Sequence, residues 1–159
     1  PLRHLYGPRV GTLPLLRNPR SIGVPYDFYM TPISNLYVGE DPENSVFRDG
    51  YALWDTGSNY CCLSQASMKR LLELGVGKDD PTIHMTLPNT TGGECRMSFP
   101  RNVYRWPSDD TLLIEAHDPG WSRALNDRVL LVGSLFLQDF VLEFHPHRAA
   151  IRLAKMKVR

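Results

Sequence analysis

The chain has 159 residues, a length that suits one domain with a substantial core. It is 42% apolar and 22% charged with a net charge of +1, ordinary for a globular protein and no reason to invoke nucleic acid. No apolar run approaches the roughly 18 residues a membrane-spanning helix needs, and the 13 prolines and 12 glycines favour short strands and turns over long helices.

Residues 1–21 carry four arginines and no acid, interrupted by Gly and Pro, and read as an unpacked arm or connector. Residues 26–38 and 46–54 are predicted strands separated by the polar turn Gly39–Asn44. The second strand runs into Asp55-Thr56-Gly57-Ser58. Ser64 then caps a predicted helix reaching about Leu74, with Met68, Leu71 and Leu72 on one face and Gly75 ending it. Thr82–Leu87 alternates as a half-buried strand, and Pro88–Gly93 is a hairpin turn leading into Glu94–Phe99. Asn89-Thr90-Thr91 is an N-glycosylation sequon, usable in a secreted chain. Residues 102–106 and 111–116 read as further strands, and 117–127 as a loop. From His145 onward come Arg148, Arg152, Lys155, Lys157 and Arg159 without an acid. Such a run reads first as a solvated hairpin face and second as a docking surface for an acidic partner. Tyr37, Tyr51, Tyr60 and Tyr104 read as strand packing. No signal peptide is visible at the start, Pro-Leu-Arg-His, which reads as a processed fragment or an otherwise incomplete chain and says little about where a precursor goes.

Asp55-Thr56-Gly57-Ser58 is the segment that carries chemistry. An apolar strand delivers a carboxylate to a tight turn at which Gly57 avoids a clashing Cβ. Thr56 and Ser58 flank it with hydroxyls able to orient the acid. Taken locally, the segment also fits an Asx-type turn closing a strand. Acid-pair chemistry requires two such loops. The sequence holds one: Asp49-Gly50 reads as a turn, and Asp109-Asp110 lacks the Gly. Cys61 and Cys62 follow the loop, and vicinal strand residues point to opposite faces, so at most one of them reaches Cys95. Neither a CxxC nor an HxxxH spacing exists, so no metal site and no cofactor is expected.

Together with this loop, two further blocks resemble the C-terminal lobe of pepsin-like aspartic peptidases. One is Leu13-Pro14-Leu15-Leu16-Arg17-Asn18-Pro19 with Phe28–Gly39. The other is Arg128–Phe144 followed by Ala150–Ala154, a strand into Gly133, a short helix and a closing hairpin. The resemblance spans roughly residues 12–155. It implies an all-β, mainly antiparallel lobe of a pepsin-like barrel with one or two short helices, residues 22–159 forming the lobe and 1–21 an interlobe connector. Asp55 is then the catalytic acid. Thr56 would join the grip between paired loops, Ser58 would bond the outer carboxylate oxygen, and Val132 and Gly133 would pack beneath the loop in a ψ-shaped crossing. A disulfide from Cys61 or Cys62 to Cys95 is implied by the same resemblance, three reduced cysteines being the alternative. Trp54, Asn59, His145 and Arg152 depart from the family, which favours Val or Ile, Thr or Ser, Asp, and Gly at those places. The tyrosine-bearing flap of the other lobe has no counterpart. The implied activity is endopeptidase cleavage of a polypeptide substrate, with the second acid supplied by an N-terminal lobe, from the same precursor or a separate chain, or by a homodimer. A secretory or lysosome-like acidic compartment would follow. A catalytically inactive lobe serving as a scaffold is the alternative.

Overall fold

The computed structural model describes residues 6–15, 30–57, 59, 61–75, 82–99, 128–145 and 150–156. Alternating apolar residues drive the central pairing: β2 (Met30–Val38) and β3 (Ser45–Trp54) run antiparallel across the polar turn. Gly39 takes a left-handed φ of 69° there, and its N–H donates to the Thr82 carbonyl at 2.9 Å. β5 (Ile83–Pro88) pairs with the free side of β2 and continues into β6 (Glu94–Phe99) through the expected turn, in which Gly92 has a φ of 87°.

Between these hairpins lies the predicted helix. α1 (Gln65–Glu73) starts where the Ser64 side chain accepts the Ser67 N–H at 3.2 Å, and it gives way to Gly75 at a φ of 82°. Leu71 and Met68 on its inner face are buried, while Leu72 is exposed. β4 (Cys62–Leu63) precedes it. β7 (Val129–Val132), the short helix α2 (Ser134–Leu137) and the hairpin of β8 (Phe140–His145) with β9 (Ala150–Met156) complete the described chain.

Two sheets result, mostly antiparallel. One has the order β4-β7-β3-β2-β5-β6, in which β3 and β7 alone are parallel; the other is β1-β9-β8, with β1 formed by Tyr6–Pro14. A barrel is implied by the family resemblance, yet among the described residues none closes: the larger sheet ends at β4 and β6. The strands expected at 102–106 and 111–116, and the loop at 117–127, lie outside the described residues.

The N-terminal segment corrects its sequence reading. Composition predicts an unpacked arm, but Tyr6–Pro14 form β1, paired with β9 and burying Leu13 completely. Gly and Pro mislead here because β1 is a sheet edge with register shifts around Arg9, where missing donors and bulges are tolerated. β1 also fastens the two sheets together. Thr90 N–H donates to the Thr12 carbonyl at 2.9 Å, and the Cys95 thiol to the Val10 carbonyl at 3.2 Å. Gly11 is required beneath this clasp, because a Cβ there would collide with Cys95 Sγ. A single apolar cluster spans both sheets, from Leu13, Ile151 and Leu153 to Leu36, Met85 and Phe99.

Candidate functional site

The site is built where parallel strands end together. Tyr51 to Trp54 of β3 lie opposite Val129 to Val132 of β7, and β4 returns antiparallel on the other side of β7. The chain between β3 and β4 therefore crosses over the end of β7. Main-chain and sulfur hydrogen bonds fix that crossing at three points. The Asp55 N–H donates to the Val132 carbonyl at 3.0 Å, the Leu135 N–H to the Asn59 carbonyl at 2.9 Å, and the Gly133 N–H to Cys61 Sγ at 3.4 Å.

At the first of these points the Asp55 side chain emerges half-buried, and its Oδ1 accepts the Gly57 N–H at 2.9 Å. Gly57 is crowded as expected, without a left-handed turn. A Cβ there would sit 3.2 Å from Asp55 Oδ1 and press on the carboxylate. Thr56 and Asn59 are exposed beside it, whereas Ser58 lies outside the described residues. Val132 and Gly133 are buried directly behind the acid. Thus Asp55, Thr56, Gly57, Val132 and Gly133 come together from two distant stretches of sequence.

Two features behind the loop escape sequence reasoning. Trp54, a departure from the family pattern, is buried at 3% exposure, and its indole N–H donates to Thr31 Oγ1 at 3.0 Å. A polar group buried in this way needs such a partner, and Thr31 is itself completely buried. Cys61 serves as the sulfur acceptor beneath Gly133, and burial pushes its thiol pKa up to about 12. It is an inert thiol. No local pattern announces either contact, since both partners lie more than 20 residues away in sequence.

The implied disulfide is absent. No disulfide links Cys61, Cys62 or Cys95. Cys61 leads into β4 and Cys95 sits on β6, the opposite edges of the six-stranded sheet, five strand steps or roughly 24 Å apart along the sheet. Cys95 instead meets Val10 and the side-chain amide of Asn89. That amide is turned inward, and Asn89 Oδ1 accepts the Thr91 N–H at 3.2 Å, so the sequon asparagine is tied into its own hairpin turn. Among the described residues no group of three His, Cys, Asp or Glu side chains could hold a metal ion, and no helix is long and apolar enough to cross a membrane. The basic closing hairpin forms a small charge cluster: Arg152 and His145 both approach Glu143, at 3.4 and 3.1 Å.

No protein-family model matches the chain, and a search of curated proteins finds no significant match.

Proposed function

We propose that this chain supplies one half of an aspartic-peptidase site, with Asp55 as one of two acids and the other contributed by a partner lobe of the pepsin type. One observation carries the reading: Asp55 stands half-exposed where β3 ends beside the parallel β7, its main chain bonded to Val132 and its carboxylate to Gly57. A carboxylate that must activate water needs a fixed direction and an open outer side, and these bonds favour both.

In such a site two facing carboxylates share one proton, because like charges at close range cannot both ionise cheaply. The ionised acid takes a proton from a bridging water, which attacks the peptide carbonyl. The protonated acid gives its proton to that carbonyl oxygen; the acid that took the water's proton then passes it to the departing amine, and collapse of the gem-diol returns a proton to the first. Asp55 fills one of these roles. Trp54 and Thr31 act as the rigid backing of the loop and touch no substrate. The trapped thiol of Cys61 takes no part.

The test is Asp55→Asn in the assembly purified through this chain, assayed on an unfolded protein at acidic pH. Asn retains the oxygen that accepts from Gly57, so folding should be unchanged while cleavage falls on the order of a thousandfold. Equal cleavage by the variant refutes the assignment and leaves the scaffold reading.

A further inference from the structure

The outer face of the larger sheet carries a polar row at one register level, well away from Asp55. Arg48 of β3 lies opposite Asn35 of β2, Asn35 opposite Thr86 of β5, and Thr86 opposite Arg96 of β6. Three strand steps separate the two arginines, roughly 14 Å between their backbones. An open groove of about 510 Å³ follows this row, with Glu94 on its wall, where it accepts the Ser34 hydroxyl at 3.3 Å.

Both guanidinium groups are about half exposed, and Arg96 is held in place. Arg96 lies over the Tyr37 ring, 5.9 Å from its centroid, and 3.2 Å from the His84 ring nitrogens. Arg48 donates to the Pro42 carbonyl at 3.3 Å. Their acidic partners come from one short loop: Glu43 meets Arg48 at 3.5 Å, and Glu40 meets Arg96 at 4.0 Å. Those glutamates are 85% and 92% exposed, and the contacts are long for charge-assisted hydrogen bonds, which run near 2.7–2.9 Å. Such pairs contribute little and exchange readily. The β2–β3 loop thus lays two carboxylates, three residues apart, loosely across Arg96, which Tyr37 and His84 position, and Arg48, which bonds the loop's own Pro42.

We propose that this groove binds an acidic peptide segment in trans, two of its carboxylates replacing Glu43 and Glu40 on Arg48 and Arg96. The loop is then a resident competitor, and the site is independent of the Asp55 reading. Carboxylates three residues apart already span the two cations within the chain, which is why a peptide is the matching ligand.

Fluorescence anisotropy of a labelled Gly/Ser peptide carrying two glutamates three residues apart tests this on the full chain, with the glutamine version as control. The glutamate peptide should bind and the glutamine peptide should not. R48Q/R96Q should weaken binding by about tenfold or more, while E40Q/E43Q should tighten it severalfold. Affinity of the unaltered chain should fall as salt is raised. Equal binding by R48Q/R96Q, no tightening in E40Q/E43Q, or salt-independent binding overturns the proposal. Displacement by inorganic phosphate at concentrations equal to the peptide overturns the peptide as ligand.

Discussion

The two ends of β3 hold charge in opposite ways. At its C-terminal end Asp55 is fixed by its own N–H on the Val132 carbonyl, by the Gly57 N–H on its carboxylate, and by strands that meet from distant parts of the chain. Seven residues earlier, roughly 23 Å along the strand, Arg48 is held by its own long side chain against an exposed loop. The first arrangement is rigid because moving the carboxylate means moving a backbone backed by buried Trp54 and Val132. The second is adaptable because only side-chain rotamers and weak ion pairs need to change. Rigidity suits chemistry that depends on direction, and adaptability suits reversible capture of a charged partner.

Breaking the rigid end should cost most. Trp54→Ala removes the pillar behind the loop and strands the Thr31 hydroxyl, with an expected loss of about 3–5 kcal/mol in urea unfolding. Trp54→Phe keeps most of the packing and should lose only about 1–2 kcal/mol. If the two variants are equally stable, the indole hydrogen bond and the packing have been misread.

At the adaptable end, His84 adds a pH dependence. It is buried under Arg96, and its pKa is lowered from the ordinary 6.5 by desolvation first and by the Arg96 charge second, with Glu40 opposing. Below 6.5 the unfolded chain binds a proton that the folded chain resists, so stability is full above that pH and declines as pH falls through it towards the lowered value. His84→Gln should flatten the thermal midpoint between neutral and mildly acidic pH. An unchanged pH profile would remove His84 from the account.

Smaller effects sharpen the contrast along β3 itself. Asp49 sits between the two ends at a φ of 53°, the one left-handed non-glycine among the described residues. Asp49→Gly should stabilise by about 0.5–1 kcal/mol, measured by urea midpoint, as relief of the Cβ clash exceeds the entropy cost of glycine. Arg48→Gln should change stability by less than about 0.5 kcal/mol, since its ion pair is exposed. A larger loss would mean that Arg48 is part of the architecture.

Much of the local structure was legible in the residues. Ser64 and Gly75 bracket α1, the alternation of Ile83, Met85 and Leu87 marks β5, and Pro88–Gly93 announces the hairpin, because caps, periods and turns are short-range effects. The acid at the end of β3 was legible for the same reason. What could not be read were the long-range decisions. β1 reads as an arm because nothing within it shows that β9 will pair with it and that Cys95 will take the place of a Cβ at Gly11. The cysteines allow a bridge on paper, but strand order puts Cys61 and Cys95 at opposite edges of a sheet.

The sequence by itself therefore determined β2, β3, β5 and β6, the turns between them and the helix α1, and which carboxylate stands at a strand end. Only the tertiary structure decided that β7 would lie parallel to β3, that Trp54 would find Thr31, and that Arg48 and Arg96 would share one groove. The physical reason is range: propensity and capping act over a few residues, whereas register, burial and charge pairing depend on strands that meet from far apart in the chain.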